Sequence, residues 1–480
     1  ERYPALTHLV FDEAHELEDA ASNAWATELS GAALGALVAR LTGPRGLASG
    51  LRHDGKESDA KALERAAAEV VLDEKALAEA WVAFAEQTSG PPDRQELRLS
   101  PSNRSLKGWL RARAALHALR TSLEGLAHGL DACAAADPAL ARELHGVAET
   151  ARAHAQLVEE LADRPSRERC DALTLKDGTW SLSCQPVEVG SRFVAQVVEK
   201  AQSVVLTSAT LGVAPGKPWV LERLGLDRGA RPATVLELPT PFDAVHHALV
   251  VLVTDAPDPT GPAFVDWAAA RVSGLARFLG GRTLGLFASA KRQREVGDKV
   301  ARELAPDGIE VLQATRQGLR ALAARQEEDL GTVLLGTKGL WQGLDVPGPG
   351  VSCVFIDKLP LEPSGRPLVE AREELLGGEP WGFLKYRLPR ALLQLRQGVG
   401  RLLRSPSDRG VVVIADPGAD AYRAQVYEAL EGYRVEALGW RQARLRLHQA
   451  FTAFGVEAAA PAPTPSAPAF TGQGSLFDGR

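Results

Sequence analysis

Leu9-Val10-Phe11-Asp12-Glu13-Ala14-His15 sets two adjacent carboxylates and a histidine directly behind three apolar residues. The stretch Leu6 to Phe11 is β-prone, and the acids follow where a buried parallel strand would end. In open α/β sheets ligands gather at the carboxyl ends of the strands. A helix N-terminus is the other setting that favours paired acids, because they complement its dipole. H-E-x-x-H is absent, so the string is not a zinc-protease signature.

A second string lies far along the chain: Gln397-Gly398-Val399-Gly400-Arg401-Leu402-Leu403-Arg404, followed by the apolar run Gly410-Val411-Val412-Val413-Ile414. Arg401 and Arg404 are three apart, so on a helix they would share a face and reach one phosphate group. Nucleoside triphosphate hydrolysis needs both strings. One carboxylate holds Mg²⁺, another orients the attacking water, and arginines neutralise charge developing on the transferred phosphoryl group. The expectation is that the acids near the start and the arginines near residue 400 meet across one crevice.

The phosphate cradle such chemistry requires, G-x-x-x-x-G-K-[ST], has no match. The nearest string, Gly216-Lys217-Pro218, replaces the hydroxyl residue by a proline that also lacks a backbone donor. The chain begins at Glu1 and contains no Met. It is therefore expected to be a fragment whose preceding part carries the cradle, inactive by itself.

The length of 480 residues suggests about three domains, and a 45% hydrophobic content is enough for real cores. The net charge of −6 excludes a wholly basic nucleic-acid binder. Locally the balance reverses: Phe383 to Gly410 holds seven basic residues against Asp408 alone, which suits a phosphate-binding cleft or a solvated helix face. Cys133, Cys170, Cys184 and Cys353 form no C-x-x-C and read as reduced thiols of a cytoplasmic protein. No apolar run is long enough to span a membrane.

Periodicity divides the chain. Residues 1–19 and 190–245 form part of one α/β lobe, with Ser203 to Leu206 as a second buried strand. Residues 20–189 are an insertion, helical from 20 to 165 and closing with a β-hairpin around Asp177-Gly178. Leu63, Val70, Leu77, Trp81 and Phe84 make one helical stripe; Leu106, Leu110, Leu119, Leu123, Leu126 and Leu130 make another. Asp137-Pro138 is a cap followed by proline at the first helical position. Residues 43–60 and 88–105 read as loops. Residues 246–455 alternate strands (248–253, 283–288, 309–312, 332–336, 351–356, 410–415) with helices, the pattern of a second parallel-sheet lobe. Residues 456–480 are rich in Ala, Pro, Ser and Gly and are expected to be disordered.

Two further loops carry chemistry. Ser208-Ala209-Thr210 places two hydroxyls on a strand-end loop, suited to capping or to coupling a nucleotide site to a second ligand. Gly336-Thr337-Lys338-Gly339-Leu340-Trp341-Gln342-Gly343-Leu344-Asp345 combines glycines, which permit close backbone approach, with Asp345 as an acceptor for a ribose hydroxyl or an arginine.

The order of these motifs resembles superfamily 2 helicases, and more closely the DinG branch of the XPD-like, iron–sulfur-associated DNA helicases. The resemblance runs from about residue 5 to 455, through Phe11 to Asp19, Val204 to Leu211, Gly281 to Ser289, Leu334 to Gly348, Ile356 to Pro363 and Leu388 to Asp416. It implies an α/β fold of two RecA-like parallel-sheet lobes with an all-α, arch-like insertion. It also implies ATP-driven 5′→3′ movement on single-stranded DNA at duplex junctions, in repair or replication. By matching position, Asp12 resembles the Mg²⁺-linked acid and Glu13 the water-orienting base. Gln397, Arg401 and Arg404 resemble the catalytic residues of the second lobe, and His15, Gly343 and Asp345 the nucleotide-side contacts. Ser208, Thr210, Ser289 and Thr337 stand where DNA contacts are implied. Gln342 departs from the family's usual Glu. The family's iron–sulfur cysteines precede the D-E-A-H string, so any cluster would belong to the part before Glu1. Gln473-Gly474-Ser475-Leu476-Phe477 resembles the peptide that bacterial proteins dock on the replication sliding clamp, implying contacts through Gln473, Leu476 and Phe477. A monomer is expected. Two alternatives remain: a DNA- or clamp-binding module without ATPase activity, and an RNA helicase.

Overall fold

The computed structural model describes residues 7–88, 96–133, 135–214, 216, 218–227, 233–238, 240–314, 318, 321–322, 324–325, 329, 331–342 and 350–456. It divides into two compact units. The first comprises Glu1–Leu211, Pro218–Val235 and Glu362–Pro389; the second comprises Gly212–Lys217, Leu236–Leu361 and Arg390–Arg480.

In chain order the first unit carries β1 (His8–Phe11), α1 (Leu17–Ala24), β2 (Thr27–Ser30), α2 (Gly31–Thr42), α3 (Leu47–His53), α4 (Glu57–Ala85), β3 (Glu96–Arg98), α5 (Lys107–Ala132), α6 (Pro138–Asp163), β4 (Arg169–Lys176), β5 (Thr179–Pro186) and β6 (Ser203–Leu206). The expected strands β1 and β6 pair in parallel, from His8 opposite Ser203 to Phe11 opposite Leu206. The helical insertion forms where periodicity placed it. Leu63, Val70, Leu77, Trp81 and Phe84 are all buried in one core with the α5 and α6 stripes. Asp137 caps α6 by accepting from Ala139 N at 2.8 Å, and Pro138 takes the first helical position, where no backbone donor is needed.

Three expectations change here. The insertion is not all-α: β2 and β3 flank the β4–β5 hairpin in a four-stranded antiparallel sheet ordered β2-β5-β4-β3. Strands of four and three residues are too short to show a period of two, and their pairing comes from a hairpin more than 70 residues later in sequence. The stretch 43–60, read as a loop, contains α3. Leu110 points to solvent, at 68% exposed, because the buried face of α5 is set by Trp109, Ala112 and Leu116. The hairpin turn itself is as expected, with Asp177 at φ 50 and Gly178 at φ 74.

The second unit is a seven-stranded sheet ordered β13-β7-β12-β11-β8-β10-β9. Its strands are β7 (Ala248–Val253), β8 (Thr283–Leu286), β9 (Val311–Gln313), β10 (Val333–Gly336), β11 (Cys353–Ile356), β12 (Gly410–Ile414) and β13 (Arg434–Leu438). Every pairing is parallel. The central strands are buried on both faces, which is why they read as unbroken apolar runs. Strand β13 was missed because Arg434 and Glu436 interrupt its apolar residues, as an edge strand allows.

Glu362–Pro389, placed by sequence in the second lobe, packs with the first unit instead. Leu368 and Ala371 bury against Cys170 and Val187, and Arg98 pairs with Glu374 at 2.7 Å. All four cysteines are free, and burial pushes the Cys170 and Cys353 thiols up to about 12. Among the described residues no helix is long and apolar enough to cross a membrane.

Candidate functional site

The parallel pairing of β1 and β6 continues one step past both strands. Thr207 N donates to Phe11 O at 2.8 Å, and Ala14 N donates to Thr207 O at 2.9 Å. Between them the chain turns sharply at Glu13, whose φ of 49 lies in the left-handed region that non-glycine residues seldom adopt. This register sets Asp12 beside Thr207. The Asp12 carboxylate accepts from Thr207 Oγ1 at 2.7 Å and from Glu13 N at 2.9 Å. Those two donors, the hydroxyl first, hold its pKa below the usual carboxylate value while the group stays exposed. His15 follows on the same turn. Its Nδ1 lies 2.9 Å from Ser208 Oγ and 3.2 Å from Glu13 Oε2. Ser208 Oγ also accepts from Thr210 N at 3.2 Å.

Asp12, Glu13, His15, Ser208 and Thr210 thus form one cluster although 195 residues separate Asp12 from Thr207. Thr210 is buried, so it supports the loop and does not present its hydroxyl to a ligand. The residue that sequence reading overlooked is Thr207. Its signal was available: in the Phe11–Leu206 register, the position after β6 must face the position after β1.

An exposed, ionised carboxylate fits Mg²⁺. That ion is held by one or two carboxylates together with waters and phosphate oxygens, not by a protein cage. No group of three or more His, Cys, Asp or Glu side chains suited to a metal occurs among the described residues. When bound, Mg²⁺ would supply charge neutralisation at phosphate oxygens, with Asp12 as its protein ligand.

A buried ionic network anchors helix α1 immediately behind this turn. Arg372, at 1% exposed, donates to Val187 O (3.1 Å), Asp19 Oδ1 (3.0 Å), Tyr386 Oη (2.5 Å) and Ser22 Oγ (2.6 Å). Arg223 grips Glu18 Oε1 through Nη2 at 2.6 Å and Nε at 3.0 Å. Burial opposes the Arg372 charge, yet Glu18, Tyr386 and Asp19 together hold its pKa above the ordinary guanidinium value. No sequence motif linked these residues, which come from four separate segments.

In the second unit the Gly-rich loop follows β10, as expected. Leu340 N donates to Thr337 O at 2.8 Å and starts the short helix Lys338–Gln342. The helix Leu388–Gly400, which carries Gln397, brings Gly398 against this loop. A Cβ on Gly398 would lie 2.5 Å from the Trp341 ring, so only glycine permits the approach. Arg401 Nε and Nη2 donate to Trp341 O at 3.0 and 2.8 Å, tying the two motifs together. Arg401 and Arg404 do not share a helix face, because the helix stops at Gly400. Arg404 sits in the following turn, where Asp408 Oδ2 accepts from the Arg404 and Ser405 backbone N–H groups at 2.8 Å each. Ser289 caps the helix Ala290–Leu304, its hydroxyl 3.5 Å from Arg292 N. Gly343 and Asp345 lie outside the described residues, as do Gln473, Leu476 and Phe477.

At the ends of β11 and β12 stand two more acids. Asp357 Oδ1 accepts from Ala288 N at 2.8 Å, while Asp416 accepts from Leu359 N at 2.8 Å and Gly418 N at 2.9 Å. Burial pushes Asp357 up to about 7 and raises Asp416 as well.

Residues 272–431 match the helicase C-terminal domain family. Over 240 residues, 49% of this chain, it is 32% identical to the ATP-dependent DNA helicase YoaA of Escherichia coli (strain K12). Over 241 residues it is 33% identical to the ATP-dependent helicase DinG of Mycobacterium tuberculosis (strain ATCC 25618 / H37Rv). Over these stretches the chain is similar to helicases of the DinG and YoaA kind. The matches span about a third of those relatives, 36% and 35% of their lengths. Among solved structures an XPD helicase superimposes with a TM-score of 0.52 at 12% identity, covering 90% of this chain and 68% of the XPD chain. At that identity the likeness establishes the α/β fold with RecA-like lobes.

Proposed function

We propose that the chain is the C-terminal part of an ATP-dependent DNA helicase, with ATP and Mg²⁺ as its cofactors. The observation that carries this reading is the cluster in which Asp12, held ionised by Thr207, and Glu13 sit at the ends of two parallel strands, with His15 bonded to Ser208. Asp12 takes the role of Mg²⁺ ligand, and Glu13 orients and deprotonates the attacking water. Arg401 and Arg404, with Gln397 beside them, neutralise charge on the transferred phosphoryl group. Arg401 is already fixed against the Gly-rich loop by its bonds to Trp341 O. The His15–Ser208 bond offers a route by which nucleotide state alters the loop after β6. DNA is assigned to that loop through Ser208, and to Thr337 and Ser289 in the second unit. Backbone contacts of this kind bring little sequence preference. Movement is assigned as 5′→3′ on strands flanking duplex junctions in repair or replication, with His15, Gly343 and Asp345 on the nucleotide. Gln473, Leu476 and Phe477 are assigned to sliding-clamp docking. The relatives' names, which specify ATP-dependent helicases, support the reading.

The test is Glu13→Gln in the protein carrying its phosphate-binding loop. DNA-stimulated ATP hydrolysis should fall at least about 100-fold while ATP binding persists. Unwinding is measured in parallel on 5′-tailed and 3′-tailed DNA and on RNA duplexes. Undiminished hydrolysis would remove Glu13 from the mechanism; unwinding of 3′-tailed or RNA substrates alone would overturn the polarity or the substrate.

A further inference from the structure

Helix Ala263–Leu279 and helix Trp440–Ala453 in the second unit bury their inner faces in one core with the sheet. Aromatic pairs prop them apart at both ends. Trp267 meets Trp440 with ring centroids 5.7 Å apart, and Phe278 meets Phe451 at 5.2 Å. Between these props Ala270 and Gly274 offer nothing to fill the gap. A Cβ built on Gly274 meets no atom within 4 Å. The result is an open cleft of about 450 Å³, in the range that holds one or two large side chains.

The cleft is chemically lopsided. One end is closed by Phe278, Leu447 and Phe451. The other is cationic, with Arg271, Arg441 and Arg444 gathered around Trp440. Arg271 lies over the Trp267 and Trp440 rings at 4.8 and 5.5 Å, and its Nε is buried without a hydrogen-bond partner. The single carboxylate lining this end among the described residues, Asp255, accepts from Trp440 N at 2.6 Å. In a chain of net charge −6, a mouth with three arginines against one carboxylate beside an apolar trough is a specific feature, not a reflection of overall charge.

We infer that this cleft docks an acidic peptide segment of a partner protein, seating one bulky apolar side chain over Gly274 and its carboxylates against Arg271 and Arg444. Charge complementarity selects this occupant. A nucleic-acid strand would distribute phosphates along the whole length of its site and needs basic groups to match, whereas here the positive charge is confined to one end. Guanidinium–carboxylate contacts beside an aromatic trough are the composition of a protein-interface anchor.

Fluorescence anisotropy of a fluorescein-labelled Glu-Asp-Glu-Leu-Phe-Asp-Glu peptide, titrated with the full chain, tests this. The peptide should bind, and its all-amide counterpart (Gln and Asn for Glu and Asp) should bind at least 10-fold more weakly. Gly274→Leu fills the cleft from a position with open space around it and should weaken binding at least 10-fold with an unchanged Tm. Arg444→Glu, on an exposed side chain, should do the same. Equal binding of the amide peptide, or full binding by Gly274→Leu, would overturn the proposal. So would displacement of the peptide by oligothymidylate, which would assign the cleft to nucleic acid. Binding seen only after removal of residues 457–480 would assign it to the chain's own tail and equally overturn a partner.

Discussion

Asp12 and Asp357 occupy the same topological position, one residue beyond a parallel strand, and have opposite electrostatics. Asp12 follows β1 in the first unit. It is exposed, bonded by a hydroxyl and one backbone N–H, and held below the usual carboxylate value. Asp357 follows β11 in the second unit. It is 2% exposed, accepts from Ala288 N, and is pushed up to about 7 because burial penalises its charged form. A parallel-strand end thus supplies a location, and the immediate surroundings then decide whether a carboxylate can serve a cation. Asp12 is available to a ligand; Asp357 holds the chain after β8 to the end of β11.

The largest expected contrast comes from replacing each acid by its amide. Asp12→Asn keeps an acceptor for Thr207 but removes the charge. ATP turnover in the proposed function should fall by about 100-fold or more, with little change in Tm. A loss of less than about 3-fold would break the comparison, since Asp12 would then be no better a cation ligand than Asp357.

Asp357→Asn should do the reverse, leaving turnover within about 2-fold and changing stability. The unfolded carboxyl releases its proton near its ordinary value, while the folded one keeps it up to about 7. Between about pH 4 and 7 the folded state therefore binds more protons, so stability falls as pH rises. The amide removes that slope. Its Tm should exceed that of the parent by about 1–3 °C at pH 8, with the difference vanishing near pH 4. Scanning calorimetry at the two pH values checks this, and a gain independent of pH would show that Asp357 is not the titrating group.

The smallest effect should come from Thr207→Val. Without the hydroxyl, Asp12 loses the main cause of its lowered pKa. The acid limb of the turnover–pH profile should move upward toward the ordinary carboxylate value of 3.8, with turnover nearly unchanged at about pH 5 and above. An unmoved limb would mean that the Glu13 N–H alone suffices to keep Asp12 ionised.

Much of the second unit could be read directly. Strands such as Gly410–Ile414 are buried on both faces and announce themselves as apolar runs, and the glycines around Trp341 and Gly398 mark close backbone approaches. The first unit was less legible. Its short strands β2 and β3 carry no periodic signal, and their partners lie far away in sequence. The end of the Leu388 helix at Gly400 was hidden by the strong Gln397–Arg404 motif, which reads as one continuous helix until Gly398 and Gly400 are given weight.

The amino-acid sequence alone determined the chemistry on offer: paired acids after a strand, hydroxyls after a second strand, and arginines after a glycine-rich helix end. It also determined the order of the long helices and the buried parallel strands, because periodicity and caps are local properties. Only the tertiary structure decided which groups became partners. Thr207 meets Asp12, and Arg372 meets Asp19, through strand register and burial that act between segments hundreds of residues apart. A carboxylate's charge state follows those distant neighbours and its access to water, which no local pattern encodes.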